Sequence, residues 1–106
     1  MPRKKYNLKF TRKAYEDLDE IFNYITQTFN NVAAVKNLMD GIEKSILRLK
    51  DFPYSCSHVS DDLLKAKGYR KLVVDNYIAF YLVDETEHLI IIMQILYGAR
   101  KYQGLL

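Results

Sequence analysis

The spacing of apolar residues changes period twice along this chain, and those changes limit what it can fold into more than any other feature. Ala14, Leu18, Ile21, Phe22, Ile25 and Phe29 recur mostly at intervals of three and four, and Val35, Leu38, Met39, Ile42, Ile46 and Leu49 repeat the pattern. Residues three and four apart stack on one face of a helix, so each set is the apolar stripe of an amphipathic helix. Asn30-Asn31 between them tolerates turn geometry and competes for backbone hydrogen bonds, which makes the pair an antiparallel helical hairpin. Phe52-Pro53 closes the second helix, because proline disfavours the α region for the residue before it and has no N–H to donate. Gly41 inside that helix costs about 1 kcal/mol relative to alanine, which points to a close helix contact there.

On either side of the hairpin the period is two. Tyr6, Leu8 and Phe10 alternate with polar residues as in a strand with one buried face, and Thr11 then offers an oxygen to cap the first helix. After Gly68, residues 69–74 and 77–83 flank Asp75-Asn76, a two-residue turn whose side chains tolerate positive φ. A second turn at residues 84–87 leads into residues 88–97, where Leu89-Ile90-Ile91-Ile92-Met93 is apolar on both faces and reads as a central strand. Residues 54–67 read as a loop with a short turn of helix near Leu63-Leu64. The expected order is β-α-α-β-β-β, an α+β fold with the helical hairpin packed on one face of a four-stranded, mainly antiparallel sheet. Residues 1–106 are expected to form a single domain.

Composition removes several function classes. A chain of 106 residues that is 49% hydrophobic builds one modest core without metals or crosslinks. The lone Cys56 has no partner for an intrachain disulfide and no ligand spacing for zinc. No apolar run has the length of a signal-peptide core or a membrane span, so the expected address is the cytoplasm, with no membrane partner. Phosphate-cradling glycine loops, HExxH and GxSxG are all absent, and neither a metal nor a cofactor is expected.

The net charge of +3 is unevenly spread. Arg3, Lys4, Lys5, Lys9, Arg12 and Lys13 crowd the first thirteen residues without an acid, and Lys65, Lys67, Arg70 and Lys71 form a second basic group. Glu16, Asp17, Asp19 and Glu20 sit on the first helix as a solvated or partner-facing surface, and Asp61, Asp62, Asp84, Glu85 and Glu87 lie near turns. A basic face of this kind suits nucleic acid or an acidic partner. Arg70 shares one strand face with Leu72 and Val74, so it either pairs with an acid such as Asp84 or Glu85 or sits at the rim of a concave surface. A guanidinium there is a clamp for phosphate or carboxylate and not a base.

Lys9-Phe10-Thr11, Ala14…Asp17-Leu18…Ile21…Tyr24-Ile25, Ile46…Leu49…Phe52-Pro53, Gly68-Tyr69-Arg70…Val73-Val74-Asp75-Asn76-Tyr77…Phe80-Tyr81 and Tyr97-Gly98-Ala99-Arg100…Leu105-Leu106 follow one another in an order and spacing that resembles the RelE/ParE superfamily of toxins from type II toxin–antitoxin systems. The resemblance covers nearly the whole chain and implies a growth inhibitor silenced by a cognate antitoxin, with operator DNA bound only through the antitoxin complex. It also implies two alternative activities. RelE-like members cleave mRNA in the ribosome without a metal, which makes ribosome and mRNA the partners; ParE-like members poison DNA gyrase and cleave nothing. A third alternative is a degenerate member that only binds its antitoxin and operator.

The leading reading from sequence is the ribosome-dependent mRNA endonuclease. Arg70 and Arg100 then act as phosphate-directed cations, Tyr102, Tyr81 or His88 assists proton transfer, and Lys65, Lys67, Lys71 and Lys101 hold nucleic acid. Two departures count against it: Ile78 stands where many nuclease members carry an arginine, and Tyr97 where a histidine is common. His58 and His88 are the only imidazoles available as a base.

Overall fold

The computed structural model describes residues 5–29 and 31–97. The elements run in the order β1 (Asn7–Phe10), α1 (Arg12–Phe29), α2 (Val32–Arg48), α3 (Asp62–Ala66), β2 (Arg70–Val74), β3 (Tyr77–Asp84) and β4 (Leu89–Tyr97). The strands form one sheet in the order β1-β4-β3-β2. β4 pairs parallel with β1 and antiparallel with β3, and β3 pairs antiparallel with β2. The α+β architecture is therefore the expected one, with β4 in the interior of the sheet.

Local chemistry starts both long helices where the sequence says they start. Thr11 Oγ1 accepts the Ala14 N–H at 3.1 Å, and the Asn31 side chain accepts the Ala34 N–H at 3.2 Å. The two stripes then bury Ala14, Ile21, Ile25, Val35, Ile42, Ile46 and Leu49 against Ala79, Tyr81, Ile90, Ile92 and Ile95 on one sheet face. Each large aliphatic side chain so buried contributes about 1.5–3 kcal/mol, which holds the hairpin to the sheet. Phe22 lies at the flank of its stripe and is 47% exposed. Gly41 differs from expectation, since a Cβ placed there meets nothing within 4 Å and no helix approaches it.

Asp17 also differs, being only 3% exposed and not part of the solvated acidic surface. β1 ends at Phe10, opposite Ile92, so the outer edge of β4 continues without a strand beside it. α1 takes over the hydrogen bonding. The Thr11 N–H donates to the Ile92 carbonyl at 3.1 Å, the Thr11 hydroxyl donates to the Met93 carbonyl at 2.8 Å, and Asp17 Oδ2 accepts the Ile95 N–H at 2.9 Å. A register shift between Phe80 and Tyr81 leaves Met93 as the extra residue of a bulge at the same place. Lys13 Nζ, 2.8 Å from Asp17 Oδ1, balances the buried charge, and that carboxylate raises the lysine above its ordinary pKa.

The second sheet face is partly covered. The short turn expected near Leu63-Leu64 is the five-residue α3, capped by Asp61 Oδ1 accepting the Leu64 N–H at 3.0 Å. It ends in a Schellman motif, with the Gly68 N–H on the Lys65 carbonyl, the Tyr69 N–H on the Leu64 carbonyl, and Gly68 at φ +88°. Leu64 then packs with Val59, Phe80 and Leu96 as a small second core. The segment before α3 also covers the β2 edge, where the Lys71 N–H donates to the Ser57 carbonyl and the Val59 N–H to the Tyr69 carbonyl. No described helix is long and apolar enough to cross a membrane.

Candidate functional site

Arg70 opens β2 on the face shared with Leu72 and Val74, and its register partner is Tyr81. The side chain is half-buried at that rim. Its guanidinium donates to the Cys56 carbonyl at 2.6 Å and lies 4.9 Å from the centre of the Tyr54 ring, a cation–π distance. Neither Asp84 nor Glu85 pairs with it directly, and among the described residues it has no carboxylate partner within ion-pair distance. The connection to Glu85 runs through Tyr54, whose hydroxyl donates to Glu85 Oε1.

The same carboxylate oxygen accepts the Tyr6 hydroxyl at 2.7 Å, and the Tyr6 ring stacks on His88 with centroids 4.7 Å apart. Arg70, Tyr54, Glu85, Tyr6 and His88 thus form one contact chain across this end of the sheet. It ties the segment after α2 to β1 and to the β3–β4 turn. His88 closes that turn with φ +52°, and the Asp84 carboxylate accepts the Glu87 N–H at 3.0 Å. The backbone geometry makes His88 a turn residue and not the first residue of β4.

Tyr81 lies beneath Arg70, fully buried, and its hydroxyl donates to the Pro53 carbonyl at 3.0 Å. Burial first, then the neighbouring Cys56 thiol, pushes this phenol far above its ordinary range. A proton-transfer role needs the opposite shift and an open path to substrate. Tyr81 therefore serves as a brace holding Pro53 to the sheet.

The lysines that neighbour Arg70 in sequence lie on the other side of β2. Lys71 alternates with Arg70 along the strand, and Lys65 and Lys67 belong to α3 and its C-cap, which pack against that second face through Leu64. Lys5 sits 3.7 Å from Asp51, and Lys13 is held by Asp17, so two cations of the N-terminal basic group are locally balanced. Arg100, Lys101 and Tyr102 lie outside the described residues. Among those described, no cluster of His, Cys, Asp or Glu has metal-ligand geometry.

Sequence reasoning missed Tyr54 and Tyr6 as partners of this site and Asp17 as a buried anchor. Tyr54 had no periodic signal, because it follows Pro53 in an irregular segment. Asp17 did carry one: its spacing of four from Lys13 places the two side chains together on a helix.

The fold as a whole is shared with solved toxin–antitoxin structures. The chain is similar in fold to the toxin–antitoxin complex RelBE2 from Mycobacterium tuberculosis, with a TM-score of 0.61 and 16% identity over 88% of this chain and 98% of that one. It is also similar to the chromosomal ParDE toxin–antitoxin system from P. aeruginosa, with a TM-score of 0.69 and 21% identity over 88% of this chain and 96% of that one. No curated protein sequence matches it. The family model described as ParE toxin of type II toxin-antitoxin system, parDE, matches residues 8–102, from the first strand to past the last. With that match spanning the Thr11 cap, Asp17, Arg70 and the end of β4, the chain belongs to the ParE toxin family of type II toxin–antitoxin systems.

Proposed function

We propose that this toxin arrests growth by binding DNA gyrase without cleaving RNA, and that a cognate antitoxin silences it. The observation that carries this reading is the internal engagement of the groups around Arg70. The two phenols nearest the guanidinium are already committed, Tyr81 to the Pro53 carbonyl and Tyr54 to Glu85. Cleavage through a 2′-hydroxyl needs a base to take one proton and an acid to return another, each within hydrogen-bond reach of the reacting atoms. His88 is stacked on Tyr6 in a turn, and Tyr81 is buried with its hydroxyl on the Pro53 carbonyl, which counts against either as the acid or the base.

What the rim retains is charge. Arg70 keeps its cation at any physiological pH, and a half-buried guanidinium with donors to spare suits an acidic protein surface. In this reading Arg70 and Arg100 are target-facing cations, Tyr102 an adjoining contact, and Lys65, Lys67, Lys71 and Lys101 an electrostatic surround. Ile78, where nuclease members carry an arginine, fits a toxin that needs no phosphate clamp. The antitoxin partner follows from the family and from neighbours that are themselves toxin–antitoxin complexes. Operator DNA is contacted only through that complex.

Induction of the chain without antitoxin tests the proposal. DNA breaks and an SOS response with intact messages are expected, and Arg100→Ala relieves them while the fold is retained. Messages cut at ribosome-bound codons with intact chromosomes replace this reading with the RelE-like one, and uninterrupted growth replaces it with the degenerate one.

A further inference from the structure

Three tyrosines meet at the end of the sheet away from Arg70. Tyr24 comes from α1, Tyr77 opens β3 after the Asp75-Asn76 turn, and Tyr97 closes β4 directly across from it. The Tyr77 and Tyr97 rings meet edge to face, with centroids 5.7 Å apart and planes at 66°. All three rings line two adjoining hollows, one of about 540 Å³ bordered by Lys13, Asp17 and Glu20, the other of about 570 Å³ bordered by Asp75 and Asn76. Tyr24 is 64% exposed and Tyr97 48%, and none of the three hydroxyls bonds to a described residue.

Among the described residues, the charge around these rings has one sign left over. Lys13 is taken up by the buried Asp17, whereas Glu20 and Asp75 are exposed and have no ion-pair partner among the described residues. Burial, then the nearby Tyr24 and Tyr97 hydroxyls, raises the Tyr77 pKa, which favours the neutral phenol at the centre of the group. A hollow with aromatic faces and flanking carboxylates disfavours an anion and stabilises a cation. Guanidinium fits better than ammonium, because it is planar, weakly hydrated, stacks on rings and has several donors for phenol oxygens. The apolar surroundings, Ile21, Ile25, Leu38 and Leu96, call for aliphatic neighbours on the same segment.

We propose that Tyr24, Tyr77 and Tyr97 form a docking site for an arginine side chain carried on an apolar peptide segment of a partner protein. The site is separate from the Arg70 rim and does not rest on the choice of gyrase as target. Amphipathic rings with unused hydroxyls are typical anchors of protein interfaces.

The test is a titration of the full chain with Ac-Leu-Arg-Leu-NH2, followed by NMR of the tyrosine rings. Its neutral isostere, with citrulline in place of arginine, is the control. The Arg100→Gln chain is titrated in parallel, to remove competition from the cation three residues past Tyr97. Ring resonances of Tyr24, Tyr77 and Tyr97 are expected to move with the arginine probe in at least one of the two chains, and much less with citrulline. Tyr24→Ala should weaken that binding about three- to tenfold, while Tyr24→Phe, which keeps the ring face, stays within about twofold. Equal response to both probes, movement confined to other tyrosines, or an unaffected Tyr24→Ala chain overturns the proposal.

Discussion

At the Arg70 end of the sheet, Tyr81, Tyr54 and Tyr6 each direct a hydroxyl to an acceptor inside the molecule, whereas at the hairpin-turn end Tyr24, Tyr77 and Tyr97 bond to no described residue. The residue type is the same and the use is opposite. A buried phenol that has found its acceptor is part of the frame, because removing it leaves a polar group unsatisfied. An exposed phenol with a free hydroxyl adds little to folding and keeps its recognition chemistry for another molecule. Tyrosine content alone therefore says nothing about where a chain of this kind works; the hydrogen-bond partner of each ring does.

The comparison breaks first, if it breaks, between the two ends. Asp17→Ala should cost about 3 kcal/mol in urea unfolding, since it strips a buried acceptor from the Ile95 N–H and the counter-charge from Lys13. Asp17→Asn keeps an acceptor for β4 and should lose clearly less; equal losses would put the weight on the ion pair and not on the strand edge.

Tyr81→Phe comes next, at about 1–2 kcal/mol, with toxicity unchanged at matched amounts of folded protein. The raised pKa of Tyr81 also fixes a pH dependence. The native state favours the neutral phenol, so this contribution is fully present below the ordinary value of about 10 and is lost as pH rises above it. Urea midpoints should fall on the alkaline side, and the fall should be shallower in Tyr81→Phe; an identical alkaline loss would remove Tyr81 from the frame.

A smaller effect is expected from Tyr54→Phe, under about 1 kcal/mol, because its acceptor Glu85 is exposed and water replaces the lost bond. At the open end the expectation is close to nothing. Tyr24→Ala should stay within about 0.5 kcal/mol of the unaltered chain, and a loss comparable to Tyr81→Phe would erase the distinction between the two ends.

Both helical stripes, the Thr11 cap, the break at Asn30-Asn31, the Asp75-Asn76 hairpin and the interior position of β4 were legible in the sequence, because each rests on short-range periodicity or on side-chain preference at one position. The opposition of Arg70 and Tyr81 followed from counting residues across a two-residue turn. What escaped depends on contacts between distant segments. Asp17 is anchored by Ile95 of β4, Arg70 by Cys56 and Tyr54 of an aperiodic stretch, and Tyr24 meets Tyr77 and Tyr97 only once α1 lies on the sheet. The period of two along β2 sends Arg70 and Lys71 to opposite faces, as the sequence pattern requires, whereas the packing of α3, with Lys65 and Lys67, on the face away from the helical hairpin depends on contacts of Leu64 with Phe80 and Leu96 that no local pattern shows.

The central claim is that the toxin binds and does not cut. Purified toxin should be added, in parallel, to gyrase with relaxed plasmid and to a translating ribosome reaction whose messenger is mapped end to end. Inhibited supercoiling with trapped DNA breaks, alongside an intact messenger, is the result predicted. A messenger cleaved within ribosome-bound codons while gyrase turns over normally would contradict the account.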